Sequence, residues 1–159
     1  STELGADRII PFISSRSIPR LSESKATARR ERWQRIAVEA SRQCGRASIP
    51  EVTGIVAFEE MLGLKKRGEL GIVLWEDESE RGIKAILSDE RYRDSDNFFV
   101  IVGPEGGFLK EEVEKAIAHD FISASLGTLI LRTETAPLAI LSILQYEKGT
   151  FGTSGNRTG

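Results

Sequence analysis

Residues Phe98–Val102 read Phe-Phe-Val-Ile-Val, an apolar run with no polar interruption. A strand with one wet face alternates apolar and polar side chains, so an unbroken run demands burial on both faces. That places Phe98–Val102 inside a sheet covered by helices, the arrangement of parallel α/β folds. The run empties directly into Gly103-Pro104-Glu105-Gly106-Gly107. Ligands of open α/β sheets bind outside the carboxyl ends of the strands. Gly103, Gly106 and Gly107 let the backbone turn tightly and approach a flat ligand, and Pro104 stiffens the loop.

The rest of the chain supplies the alternating partners that such a sheet needs. Asp7–Ile13 reads as a strand ending near Pro11, and Ser14–Ser22 as loop. Lys25–Gly45 reads as a helix with Trp33, Ile36, Ala37, Ala40 and Cys44 on one apolar face, Ser24 as N-cap and Gly45 as its stop. Phe58–Leu64 and Ile83–Leu87 read as short helices, and Gly71–Trp75 as a buried strand. Leu109–His119 is a helix with Val113, Ala116 and Ile117 inward, and Ile122–Ser125 is a short strand. Thr135–Lys148 closes the pattern as a long helix, with Pro137 in its first turn where a missing N–H costs little. The expected architecture is α/β, a mostly parallel sheet flanked by helices. Residues 1–148 form one domain and Gly149–Gly159 a flexible polar tail. Ser1–Gly5 reads as the end of a helix that begins upstream.

Composition narrows the chemistry. With one His, His119, and one Cys, Cys44, no metal-ligand cluster is assembled, so no metal is expected. Cys44 has no disulfide partner, reads as a small buried hydrophobe, and fits a reducing, cytoplasmic setting. No apolar run approaches the roughly 20 residues that span a bilayer, so no membrane is expected. The net charge of −2 conceals an asymmetry: residues 1–50 hold ten Lys/Arg against five Asp/Glu, residues 51–159 twelve against nineteen. The basic half is suited to local phosphate contact, and a merely solvated helix accounts for it equally.

A second glycine loop, Leu126–Ala136 (LGTLILRTETA), leads into the last helix. Neither loop is a dinucleotide fingerprint or a P-loop, because the first reads G-P-E-G-G-F and no G-K-[ST] follows. Taken together, however, GPEGGF at 103–108 and LGTLILRTETA at 126–136 resemble the paired signature of the RsmE family of SPOUT-class RNA methyltransferases. ELGADRIIPF at 3–12 and ERWQRIAVEASRQCGRASIPEV at 31–52 extend the resemblance over residues 3–148, in four blocks in the right order.

The resemblance implies a SPOUT (alpha/beta knot) fold with a C-terminal trefoil knot, an exception to the usual unknotted topology. It implies S-adenosyl-L-methionine as cofactor, bound bent against the knot loops, and a homodimer with the active site near the subunit interface. It further implies methylation of a uridine N3 in 16S rRNA of the small ribosomal subunit. Family members usually carry an N-terminal PUA-like RNA-binding domain, to which nothing in residues 1–159 corresponds. The cofactor would lie on Val102, Gly103, Pro104, Glu105, Gly106 and Gly107 of the first loop. Leu126, Gly127, Leu129, Ile130, Leu131 and Thr133 of the second would complete its site.

Uridine N3 carries a proton at neutral pH, so its methylation requires proton acceptance or stabilisation of a uracil anion. Arg132 and Glu134 are the charged residues of the second signature. Arg132 is expected to stabilise charge on a uracil carbonyl or to hold a backbone phosphate. Glu134 is expected to take the proton or orient the base; a salt bridge between the two that only fixes the loop is the structural alternative. Arg46 is a third candidate, for phosphate or base contact, in reach of the partner subunit's site. The Glu105 carboxylate suits loop amides better than reaction. The signature departs from the family at Leu109, where a small polar helix cap is usual. Two other readings fit parts of the chain. One is a non-catalytic SPOUT RNA-binding or ribosome-assembly factor, against which the intact LRTETA segment speaks. The other is a small-ligand binder holding an anion on GPEGG, which leaves the second loop without a role.

Overall fold

Every strand pairing in the computed structural model, which describes residues 1–17, 22–149 and 151, is parallel. The order is β1 (Arg8–Ile9), β2 (Phe12–Ile13), α1 (Glu23–Cys44), β3 (Glu51–Val52), β4 (Val56–Ala57), α2 (Phe58–Leu62), β5 (Leu70–Leu74), α3 (Ile83–Ser88), β6 (Phe98–Ile101), α4 (Lys110–Ala118), β7 (Phe121–Ala124) and α5 (Ala136–Glu147). A 3-10 turn at Glu90–Tyr92 separates α3 from β6. The pairing is spread over three sheets rather than one: β6-β5-β7, β1-β3 and β2-β4.

β5 is central because it is wholly apolar, and it pairs Ile72 with Val100 on one side and with Ile122 on the other. Its alternate residues serve opposite cores. Val73, Phe99, Ile101 and Phe121 pack with Phe58, Met61 and Leu62 of α2 and Val113 and Ala116 of α4. Ile72, Leu74 and Ala124 pack with Ile83, Ile86 and Leu87 of α3 and Ala136, Ile140 and Leu144 of α5. Both faces are thus covered, each buried side chain contributing about 1.5–3 kcal/mol, which is why the β6 sequence has no polar interruption. The shape of this core also fixes Gly71: a Cβ there would stand 2.7 Å from the Phe121 ring, itself locked edge-on against Phe99 at 5.5 Å.

Several expectations need correction. The strand expected over Asp7–Ile13 is broken at Pro11 into β1 and β2, because proline cannot donate to a ladder; its carbonyl still accepts from Val56 N at 3.1 Å. α1 starts at Glu23 with Ser22, not Ser24, as N-cap, and neither serine caps through its side chain. It ends as expected with Gly45 in the left-handed conformation. Its buried line is rotated from the expected face: Ala37 and Ser41 are buried, whereas Ile36 and Cys44 are exposed. The cause is polar anchoring. Gln34 Nε2 donates to Pro50 O (3.0 Å), Gln34 Oε1 accepts from Val52 N (2.9 Å), and Arg30 Nε donates to Val52 O (3.0 Å). Turning those side chains toward β3 swings Ile36 and Cys44 outward, so Cys44 is not a core residue. Ser1–Gly5 is a turn, with Ala6 N on Ser1 O (3.1 Å) and Gly5 N on Thr2 O (3.2 Å), the bond pair of a helix C-terminus. Of the expected flexible tail, 150 and 152–159 lie outside the described residues.

On α4 the expected inward Ile117 is exposed, and a carboxylate is buried instead. Glu112, 4% exposed, accepts from Leu109 N (2.9 Å) and from Ser15 N (2.8 Å). This is the half of a capping box that needs no polar side chain at Leu109, the N3 carboxylate holding the N-cap amide, and it ties the segment after β2 to the start of α4. Glu112→Ala is expected to leave both amides unpaired and to cost about 2 kcal/mol, a fall of about 4–8 °C in melting temperature. Thermal denaturation followed by circular dichroism checks it; an unchanged midpoint counts against the tie.

Candidate functional site

The carboxyl ends of β5, β6 and β7 open into one shared groove that is open to solvent along one side. β5 contributes Leu74, Trp75 and Glu76; β6 and its loop contribute Val102, Gly103, Pro104, Gly107 and Phe108. The segment after β7 contributes Ala124–Leu131, Thr133 and the first residue of α5, Ala136. This is the position that the strand order predicts, since β5 is flanked on both sides by later strands and the chain diverges there.

Local chemistry holds the three walls together. The first loop turns through Gly107 N donating to Pro104 O (2.9 Å), with Gly107 at φ +68°. A Cβ at Gly107 would run into the Glu76 carboxylate, and one at Gly103 would stand 3.1 Å from the Phe108 ring. The second loop is latched to the first by Thr133 Oγ1 donating to Gly103 O at 3.2 Å. Ser125 Oγ holds the Gly127 turn, accepting from Gly127 N at 3.1 Å. Arg132 O accepts from both Thr135 N and Ala136 N at 2.9 Å, which turns the loop into α5. Leu129 and Ile130 are 78% and 80% exposed, apolar walls facing open space. Among the described residues, no hydrogen bond engages the amide N–H groups of Leu126, Leu129 or Leu131. The buried Trp75 indole N–H also has no partner there.

Beyond Glu76 the third wall is braced by Glu78. Burial would raise its pKa, but the Ser123 hydroxyl, the amides of Glu80 and Arg81 and the Arg81 guanidinium outweigh that and leave it below the ordinary carboxylate value. A lowered folded-state pKa contributes stability above the unfolded value, and that stability is lost as acid protonates the group. The small contribution of the Glu78 contacts is therefore present above the ordinary carboxylate value and is lost as pH falls through the lowered folded-state value.

The cofactor candidates largely converge. Val102, Gly103, Pro104, Gly107, Leu126, Gly127, Leu129, Ile130, Leu131 and Thr133 line the groove. Glu105 and Gly106 do not; Gly106 lies on the loop's outer side, where its carbonyl accepts from Arg16 Nη1 at 2.5 Å. Arg132 and Glu134 sit beside the groove without lining it, with side chains 84% and 69% exposed and a loose 3.9 Å pairing. A pair so exposed contributes little to loop stability. Arg46 is not brought to the groove of its own chain. Its guanidinium is spent on Thr2 O and Ala6 O (2.8 Å each), Asp7 Oδ1 (2.6 Å) and Ser48 Oγ (3.3 Å).

The sequence reading missed the β5 wall, Phe108, Ser125, Thr128 and Arg16. The β5 wall was findable. The strand-end rule that selected Val102 and Leu126 applies equally to Trp75 and Glu76, which follow the apolar run Gly71–Leu74. Arg16 carried no local signal, since only the fold brings it to Gly106. Among the described residues no cluster of His, Cys, Asp or Glu is arranged to hold a metal, and no helix is long and apolar enough to cross a membrane.

Comparison with known proteins matches this geometry. The ribosomal RNA small subunit methyltransferase E of Bacillus subtilis (strain 168) is 38% identical over 150 residues, 92% of this chain and 58% of that protein. The protein of the same name from Aquifex aeolicus (strain VF5) is 34% identical over 144 residues, 91% of this chain and 58% of its own length. The crystal structure of a ribosomal RNA small subunit methyltransferase E from Neisseria gonorrhoeae, bound to S-adenosyl methionine, superposes with TM-score 0.82 at 34% identity. It covers 94% of this chain and 59% of that one. A putative methyltransferase of Legionella pneumophila with bound SAM gives TM-score 0.72 at 31% identity, over 91% and 57% of the two chains. The chain thus spans somewhat more than half the length of these relatives. The family described as RNA methyltransferase domain matches residues 1–145, and with the relatives' identity over nine-tenths of the sequence, the chain belongs to that family.

Proposed function

We propose that this chain is the catalytic domain of an S-adenosyl-L-methionine-dependent RNA methyltransferase that modifies N3 of a uridine in 16S rRNA of the small ribosomal subunit. The observation that carries the proposal is the glycine-walled groove at the ends of three parallel strands, with Arg132 and Glu134 exposed at its rim. The groove fits the cofactor on its own features. The Leu126, Leu129 and Leu131 amides, unengaged among the described residues, are free to read a base edge, and Gly103 and Gly107 let the Phe108 ring and the Glu76 carboxylate pack close against the first loop. When bound, the cofactor supplies an activated methyl group, and the protein's task is to position and to stabilise charge. The latch between Thr133 and Gly103 fixes the two loops relative to each other. Arg132 then faces negative charge on uracil, and Glu134 takes the N3 proton or orients the base.

The remaining expectations belong to the same reading: residues 1–148 as a SPOUT domain whose C-terminal part is a trefoil knot, acting as a cytoplasmic homodimer. Exposed apolar side chains on the second loop and α5 (Leu129, Ile130, Leu138, Tyr146) suit a partner surface. Methylation of small subunits lacking the modification, with methyl-labelled S-adenosylmethionine, tests the activity. Label in 16S rRNA at uridine N3 is expected, and label-free RNA in the presence of bound cofactor overturns the catalytic assignment.

α1 supplies the RNA-facing charge in this reading. Of its arginines, Arg30 is bound to Val52 O and Arg42 to Glu39 (2.8 Å), while Arg29, Arg32 and Arg35 are exposed and unpaired among the described residues. Replacing these three by glutamine is expected to weaken RNA binding and to flatten the salt dependence by up to about 2 units of slope. Filter binding across a salt series checks this, and an unchanged slope removes α1 from the interface.

A further inference from the structure

Among the residues lining the groove, Glu76 is the one with an ionisable side chain; the others are apolar, glycine, proline, serine or threonine. Its carboxylate has no hydrogen bond or ion pair among the described residues, and it lies against Gly107 of the first loop. Neighbouring acids behave differently: Glu78 is fully engaged by Ser123, Glu80 N and Arg81 N. The Glu76 side chain is exposed in the open groove, so water screens its charge, and what reaches a bound ligand at close range is a local field with no partner bonded to the carboxylate among the described residues. Such a site prefers a ligand carrying positive charge over an isosteric neutral one.

From this we propose that Glu76 is a specificity-determining residue that distinguishes the cationic sulfonium cofactor from its neutral thioether product. The inference rests on the cofactor assignment above and assigns the β5 wall a role within it. S-adenosylmethionine and S-adenosylhomocysteine share the adenosine, the amino group and the carboxylate, and differ by one methyl group and one positive charge. A contact to ribose or to the amino group affects both equally. A contact through the field at sulfur affects one. Glu76 therefore favours loading of the charged form and release of the spent one, without taking part in bond making.

Calorimetric titration of the wild-type chain and of Glu76→Gln with three ligands tests this: S-adenosylmethionine, S-adenosylhomocysteine and sinefungin, whose amine puts a positive charge near the sulfonium position. Gln keeps the shape and removes the charge. The expected result is a loss of about fivefold for S-adenosylmethionine and for sinefungin, with S-adenosylhomocysteine within about twofold. The preference is also expected to shrink as salt rises in wild type but not in the variant. An equal loss for all three ligands, or no loss for any, overturns the proposal while leaving the cofactor assignment intact. Failure of all three to bind the folded wild-type chain overturns the cofactor assignment itself and the proposal with it.

Discussion

Gly107→Val is expected to lower the affinity for S-adenosylhomocysteine about a hundredfold, while Gly106→Val leaves it within about threefold. The two glycines are adjacent in sequence and opposite in circumstance. Gly107 sits at φ +68°, where an L residue costs about 1–2 kcal/mol and a β-branched one more. Its missing Cβ is also the space in which the Glu76 carboxylate rests against the groove wall. Valine there either pushes Glu76 into the groove or rotates the loop, and rotation strains the Thr133–Gly103 latch that fixes the second loop. Gly106 has no such constraint. A Cβ on it meets Arg16 at 3.3 Å, on the far side of the loop from the cofactor. Titration calorimetry reads the affinities and a thermal melt confirms folding; if the valine variant does not fold, Gly107→Ala carries the comparison. Equal losses at the two positions, or none at Gly107, refute the assignment of this wall to the cofactor.

That contrast also shows where the sequence was legible. The repeating alternation of apolar runs with helical periods disclosed the layered α/β arrangement, because burial on both faces leaves its mark on every residue of β5 and β6. The groove's two glycine loops were visible for a related reason, since a strand end followed by glycines has few other uses. What stayed hidden depended on partners distant in sequence. The rotation of α1 follows from Gln34 bonding across to Pro50 and Val52, and hydrophobic periodicity contains nothing about that pairing. Arg46 shows the same limit. A guanidinium beside a signature block suggests phosphate, yet here it joins Thr2, Ala6 and Asp7 to the end of α1. Glu112 carries no local signal that separates it from Glu111, yet the fold makes it a buried tie that holds the amides of Leu109 and Ser15. Local patterning reports what a residue's own face must do, and the fold alone decides which distant group it meets.

Arg132→Ala is expected to reduce turnover by about 10²–10³ while leaving cofactor affinity within about twofold. The separation of the two effects follows from placement. Arg132 presents its guanidinium to solvent and contributes its backbone carbonyl, not its side chain, to the turn that starts α5. Alanine keeps that turn and the Thr133 latch, so the groove persists; what disappears is the donor proposed to meet charge developing on uracil. Arg132→Lys restores charge without the planar fork and is expected to recover only part of the loss. Glu134→Gln separates proton transfer from charge stabilisation. If the carboxylate takes the N3 proton, the variant depends on uracil that is already deprotonated, and its rate rises about tenfold per pH unit below the uracil pKa. Single-turnover methylation of unmodified small subunits across a pH series, run beside titration of S-adenosylhomocysteine, reads both quantities. Turnover unchanged in Arg132→Ala removes the guanidinium from the chemistry. A parallel fall in affinity and rate assigns it to holding the loop. A wild-type-like pH profile in Glu134→Gln leaves that carboxylate the role of orienting the base.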